Sequence, residues 1–311
     1  MTSIEAVAAY HPPVRTPVGD CLREYGLREA QISVYERFYG FRYVRLDPGG
    51  SLTEQLVAAM SALPELRGRE DRIRYVMHAR SMPVVAPYPV NPLLEACRKV
   101  GLEHAEIFSV SQHACASALL AVHLAGTMLA TTGDPDARAL VVGADKAFTA
   151  SAQAVVAAGV MGESASAVLV RAGGDRDRVL GYATRTHGRY YQGPWMPDEL
   201  GVEFQDHYPD ALAEVIEAAV RSAGLGIDDI ALILPHNVNR MSWMRVLRLL
   251  GIRGADRLYL VNQADIGHCF CSDSFLNHET ARLTSRLRRG DHYVMTAVGL
   301  GATFSAMVLE H

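Results

Sequence analysis

Apolar positions along this chain alternate between two periods, and that alternation sets the first expectation. Glu54–Met60 places leucine, valine and alanine at helical spacing, the pattern of an amphipathic helix. Arg74–His78 then reads as a strand, as do Glu106–Val110 and Ala139–Gly143. A second series follows. Ala211–Ile216 opens a helix whose apolar positions continue through Leu212, Val215, Ile216, Ala219 and Val220. Ile230–Leu234, Arg257–Val261 and Tyr293–Ala297 read as strands. Several of these strands are continuous apolar runs, as expected of strands covered on both faces. The order helix, strand, strand, helix, strand thus occurs twice with similar spacing, and the class is α/β. The pattern predicts two similar halves, 1–172 and 173–311, joined through Gly173–Asp177, where glycine and charge favour a turn.

Composition narrows the function classes. The 311 residues are 49% hydrophobic and 21% charged, ample for a large core, and 311 residues suffice for two halves of about 150 each. The net charge of −4 argues against binding nucleic acid by phosphate neutralisation. Five scattered cysteines, Cys21, Cys97, Cys115, Cys269 and Cys271, do not form a disulfide framework and suit a reducing cytoplasm. The N-terminus has no basic segment followed by an apolar core, and no apolar run is expected to span a bilayer.

The chemistry centres on Cys115. An apolar run through Ile107, Phe108 and Val110 leads into it, and a small-residue helical run from Ala116 follows. The cysteine therefore stands where a strand turns into a helix, facing unpaired N–H groups and the positive helix end. Both favour the thiolate, which is the nucleophilic form. A buried cysteine filling a helix is the competing account. His236, in Pro235–His236–Asn237, and His268, in Gly267–His268–Cys269, each follow a candidate strand. In open parallel sheets the chemistry collects at strand carboxyl ends, so the duplication predicts one cleft holding Cys115, His236 and His268. A capping or loop histidine is the alternative at each. Two neutral imidazoles beside a thiolate can donate to a thioester carbonyl, or one can act as base. The Gly299–Thr303 run bends the chain near the C-terminus, and the N–H groups of Cys115 and Gly301 are candidate oxyanion donors. Zinc is the rival for His268, Cys269, Cys271 and His278, but the spacing lacks paired CxxC, so no metal or cofactor is expected.

In order, these segments resemble the thiolase superfamily, specifically β-ketoacyl-carrier-protein synthase III and its relatives. Arg37–Arg45, with Gly40–Phe41–Arg42, resembles an early glycine-containing strand motif, His113–Ser117 the nucleophile motif and Val141–Asp145 the strand after the nucleophile helix. Met161–Val168 resembles a glycine-aspartate-glycine-alanine stretch. Pro235–Asn239 resembles the proline-histidine motif, and Val298–Thr303 the closing glycine strand. The resemblance implies a five-layered αβαβα sandwich, usually a homodimer. It implies Cys115 as acylated nucleophile, His236 as first histidine and Gly301 as an oxyanion donor. His268 stands where the family has asparagine, so the implied triad is Cys-His-His. Val34 and Phe38 stand where users of coenzyme A carry tryptophan and arginine, which favours an acyl carrier protein as donor, with acyl-CoA the alternative. The implied activity is ping-pong acyl transfer with decarboxylative condensation onto a malonyl-type thioester. The alternatives are acyl transfer to an alcohol or amine, and a non-catalytic ketosynthase partner subunit. Met82, Phe148, Met161, Trp195 and Phe204 are candidate pocket residues, and Arg240, Arg245 and Arg248 a candidate face for an acidic carrier protein.

Overall fold

A computed structural model describes residues 1–155 and 158–311. Nine strands form one mixed sheet system: β1 (Thr2–Tyr10), β2 (Ile73–Ala79), β3 (Glu106–Val110), β4 (Arg138–Gly143), β5 (Ala165–Ala172), β6 (Arg178–Thr186), β7 (Ile230–Leu234), β8 (His292–Gly299) and β9 (Thr303–Glu310). Six principal helices accompany them: α1 (Leu52–Ser61), α2 (Pro92–Lys99), α3 (Ser117–Thr132), α4 (Asp198–Ser222), α5 (Arg240–Leu249) and α6 (Asp273–Leu283). The spatial order is β7-β8-β9-β6-β1-β5-β4-β2-β3. Read outwards from the central β1–β6 pair, the two sides mirror one another: β1-β5-β4-β2-β3 and β6-β9-β8-β7. β2 pairs in parallel with β3 and β4, and β7 in parallel with β8, while the remaining pairs are antiparallel.

Side-chain alternation sorts these strands into layers, because successive residues point to opposite faces. Ala139 and Val141 of β4 join Tyr293, Met295 and Ala297 of β8 in a central core around α3 and α6. Their neighbours Leu140 and Val142 pack instead with Leu56, Met60 and Leu93 of α1 and α2. Val294 and Val298 pack with Ile216, Trp243 and Val246 of α4 and α5. The arrangement is an αβαβα sandwich, with α3 and α6 enclosed between two sheet faces. That enclosure explains why Ala114–Thr132 is apolar enough, at 19 residues and mean hydropathy 1.6, to meet the length and composition of a membrane span. The expectation that no run was long enough therefore fails on that count, and burial of half of that window in the central core accounts for the composition.

Local signals fix the helix starts. Ser51 accepts from Glu54 N at 3.1 Å while its own N–H donates to Glu54 Oε2 at 2.8 Å, a capping box. Asn91 caps α2 ahead of Pro92. Three sequence expectations change. The helix expected from Ala211 begins at Asp198 and runs through Pro209. Arg257–Val261 makes only one parallel bridge, Ile233 to Leu258, so it is not a strand. Of Arg37–Arg45, only Tyr43–Arg45 lie in a strand (Tyr43–Leu46), while Arg37–Tyr39 belong to a π-helical turn that ends at Gly40 with φ 92°.

A buried carboxylate ties the termini of the sheet together. Asp177 accepts from Tyr293 Oη at 2.7 Å and His311 Nδ1 at 2.7 Å, with His278 Nε2 at 3.3 Å. Burial alone would raise its pKa, but the hydrogen bonds and charges of His278 and His311 prevail and hold it well below the usual carboxylate range. A depressed folded pKa stabilises the fold above the unfolded value, near pH 4, and that contribution is lost as pH falls below it. Asp177→Asn should therefore destabilise by about 3 kcal/mol at neutral pH and flatten the acid limb of stability. Denaturant titrations between pH 7 and 3 measure both.

Candidate active site

β3 ends at Val110, and a single 3-10 turn, Ala114–Ala116, carries the chain into α3. Cys115 thus sits one turn ahead of the helix, half-buried. Ala114 before it has φ 45°, a left-handed conformation that a non-glycine residue adopts only when its surroundings impose it. Two contacts do so. Cys271 Sγ donates to Ala114 O at 3.1 Å. On the other side β8 ends in Gly299, where an added Cβ would lie 1.9 Å from His113 O. The nucleophile turn is clamped between these two segments.

Ser81 reaches the sulfur from β2, its Oγ donating to Cys115 Sγ at 3.2 Å. The Ser81 loop is held by Asp145, which accepts from the backbone N–H groups of Ser81 at 2.9 Å and Met82 at 3.1 Å. Burial pushes the Asp145 carboxyl up to about 7, against those two bonds. Neither Ser81 nor Asp145 was singled out as a functional residue from sequence. No periodicity links residues 64 apart.

His268 is placed by backbone pairing. Its N–H donates to Val160 O at 2.9 Å, and its carbonyl accepts from Gly162 N–H at 2.8 Å. Two glycines permit the approach. Gly267 has φ 75°, and a Cβ on Gly162 would meet Ile266 O at 2.0 Å. The imidazole is buried, with Nδ1 bonded to the Asp273 carboxylate and the ring hydrogen-bonded to Cys115. Burial alone would lower its pKa, but the Asp273 carboxylate and Cys115 outweigh this and lift it to about 10. The sequence expectation of two neutral imidazoles is thus corrected at His268, which stands as imidazolium at neutral pH between a carboxylate and the sulfur. Asp273 also accepts from Asn237 N–H at 2.5 Å, Asn237 Nδ2 at 3.1 Å and Cys269 N–H at 2.7 Å. Five residues after His268, at the start of α6, Asp273 is a further site residue that the sequence reading missed.

His236 follows β7 and is also buried, its ring centroid 6.4 Å from that of His268. Its Nε2 is hydrogen-bonded to the Tyr208 hydroxyl of α4, and its carbonyl accepts from Trp243 Nε1 at 3.2 Å. Burial and the neighbouring His268 push it well below the usual histidine range. Gly301 lies in the β8–β9 turn, with φ 132°. Because Gly299 abuts the nucleophile turn, this hairpin is brought to the same strand ends.

The other candidates divide. The four zinc-type residues do not converge: His268 and Cys269 bond Asp273, whereas His278 faces Asp177. Among the described residues one group, Asp177, His278 and His311, has metal-ligand types within reach of one another. Arg176 lies 3.3 Å from His311 Nε2, so the His311 proton sits on Nδ1 and goes to Asp177. The group is a hydrogen-bond hub at the other end of β8. Of the pocket candidates, Trp195 and Phe148 are exposed, Phe204 lies on α4 and belongs to the outer core, and Met161 is buried beside His268. Arg240, Arg245 and Arg248 are all exposed on α5.

A family profile described as "3-Oxoacyl-[acyl-carrier-protein (ACP)] synthase III C terminal" matches residues 220–311. The chain is 30% identical over 217 residues to the β-ketoacyl-[acyl-carrier-protein] synthase III of Rhizorhabdus wittichii, covering 64% of this chain and 66% of that protein. It is 27% identical over 281 residues to that of Rhodobacter capsulatus, covering 84% and 85%. The chain thus spans just under two thirds of the first of these relatives and most of the second. Among solved structures, ChlB3, titled an acyltransferase, superposes with a TM-score of 0.85 at 19% identity, over 99% of this chain and 97% of that one. Synthase III of Pseudomonas aeruginosa superposes with 0.84 at 19%, over 99% and 98%. The fold and the meeting of three segments at the strand ends define a thiolase-superfamily protein. Within that superfamily, the chain belongs with the β-ketoacyl-acyl-carrier-protein synthase III-like proteins.

Proposed function

We propose that this protein catalyses ping-pong acyl transfer through an acyl-Cys115 intermediate, in fatty-acid-like or polyketide-type biosynthesis. The observation that carries the reading is the hydrogen-bonded chain Cys115–His268–Asp273. A nucleophile, a base and a carboxylate that orients the base is the arrangement covalent catalysis needs. In the first half-reaction the Cys115 sulfur attacks the thioester carbonyl, the C–S bond to the carrier breaks, and the departing thiolate takes a proton from His268. In the second, an acceptor attacks acyl-Cys115 and the Cys115 sulfur leaves. The backbone N–H groups of Cys115 and Gly301 receive the oxyanion. Residues 1–172 and 173–311 are proposed as the two halves whose strand ends meet here, a division supported by the mirrored strand order.

The donor is an acyl thioester. The exposed Arg240, Arg245 and Arg248 support an acidic carrier protein, and exposed Phe38 replaces the cationic contact of coenzyme A users. The exposed Val84, Tyr88 and Phe148 support a homodimer. Free thiols at all five cysteines suit a reducing cytoplasm. A second reading, decarboxylative condensation, is supported by the relatives named as synthases III and by the retained His236. Intact-protein mass after incubation with octanoyl-N-acetylcysteamine tests the shared first step. A single octanoyl adduct is expected on the native protein and none on Cys115→Ala. An adduct surviving in Cys115→Ala, or none on the native protein, rejects the reading and favours a non-catalytic partner subunit.

A further inference from the structure

The two histidines of the site are not equivalent, and the difference lies in what each is bonded to. His268 has Asp273 on Nδ1 and Cys115 on its other side. His236 has its Nε2 taken by the hydroxyl of Tyr208. Tyr208 is held in that pose by a wall of rings, with centroids 5.8 Å from Phe204, 5.7 Å from Phe304 and 6.2 Å from His236. It lies near enough to Cys115 for the two groups to interact through charge. The His236 ring is neutral and gives its single proton to the backbone of Thr296 from Nδ1, so Nε2, the nitrogen at Tyr208, accepts from the hydroxyl.

This arrangement has a chemical consequence. Decarboxylating a malonyl-type thioester breaks a C–C bond, releases CO2 and leaves an enolate whose oxygen carries the charge. That oxygen needs a hydrogen-bond donor in place beforehand. Nε2 of His236 could donate only if it bore the ring's single proton and faced the thioester carbonyl. Here it is an acceptor, and its partner's proton is already committed to it. A hydroxyl or amine acceptor makes no such demand. It requires a base, and that base is His268 once the departing carrier thiolate of the first half-reaction has removed its proton.

We propose that Tyr208 is the specificity-determining residue that directs acyl-Cys115 to a protic acceptor, an alcohol or amine, by occupying Nε2 of His236. The inference rests on the acyl-Cys115 reading above. The transfer balances: the acceptor's O–H or N–H bond breaks, its proton passes to His268, a C–O or C–N bond forms, and the C–S bond of acyl-Cys115 breaks, which restores the imidazolium beside the freed sulfur. In Tyr208→Phe the imidazole is free to carry its proton on Nε2. The malonyl carboxylate then leaves as CO2, and the enolate attacks the acyl carbonyl of acyl-Cys115, forming a C–C bond as the C–S bond breaks.

The experiment loads the full chain with octanoyl-N-acetylcysteamine, then adds malonyl-N-acetylcysteamine labelled in its carboxylate, and measures released CO2. Loading itself is read by intact mass, so failure of the acyl-Cys115 reading shows as absence of the octanoyl adduct, independently of CO2. The native protein is expected to load and to release no CO2 above Cys115→Ala, and Tyr208→Phe to raise release on the order of 100-fold. Tyr208→Leu serves as a second variant within the same ring wall. Native protein that already decarboxylates overturns the proposal, whatever the variants do. So does a loaded Tyr208→Phe or Tyr208→Leu that releases no more CO2 than the native protein.

Discussion

Replacing Asp273 by asparagine should lower the rate of acyl transfer by about 10⁴-fold. The carboxylate fixes which nitrogen of His268 faces the sulfur, because Nδ1–H is committed to Asp273 and the other side is left for Cys115. An asparagine amide offers an N–H2 where an acceptor is required, and the ring loses both tautomer and orientation. The electrostatic effect has the same sign. Burial would lower the His268 pKa, and the carboxylate is the first group that outweighs it. With that charge removed, His268 falls from about 10, and any basic limb in the pH–rate profile that it governs moves towards lower pH. A purely structural role for Asp273 would lower activity at all pH values without moving the limb. Some loss of stability accompanies the change, about 1–3 kcal/mol, since Asp273 also accepts from the backbone of Asn237 and Cys269. Single-turnover measurements across pH, paired with thermal unfolding, separate the two effects.

Gly299→Ala should cost on the order of 100-fold in activity, by moving the nucleophile rather than removing a functional group. The added methyl would sit 1.9 Å from His113 O and 2.9 Å from Ala114 Cβ. Real Cβ contacts of that length do not occur, so the turn must shift by an ångström or more. It cannot shift freely, because Ala114 is held in its left-handed conformation and its carbonyl is bonded to Cys271. The displacement therefore reaches Cys115 and its hydrogen bonds to Ser81 and His268. Slowed octanoyl loading by a folded variant is the expected result. Loading at the native rate would show that the nucleophile turn tolerates the displacement.

Much of this site was legible in the chain. Cys115 stands at a strand-to-helix turn, and His236 and His268 follow segments whose apolar runs mark them as strand or near-strand. Those placements hold because periodicity and the helix-start signals are local. The misreadings have equally specific causes. Arg257–Val261 has the composition of a strand, but only Leu258 finds a partner on β7. The first half of α4 is interrupted by Pro209 and rich in polar residues, so its helical period was hidden, and Tyr208 with it.

By itself, the sequence determined the α/β class, the strand faces that build the three core layers, and the position of the cysteine ahead of its helix. These follow from residue spacing and turn chemistry, which act over a few residues. Tertiary structure decided which groups meet. It set Asp273 on His268, Tyr208 on His236, Asp145 under the Ser81 loop and Gly299 against the nucleophile turn. Each of these contacts is set by the packing of side chains and backbone between elements, and for three of them the partners lie 28 or more residues apart. Cys115 is a reactive position by its own sequence, but the acceptor it serves is set by neighbours that only the fold supplies.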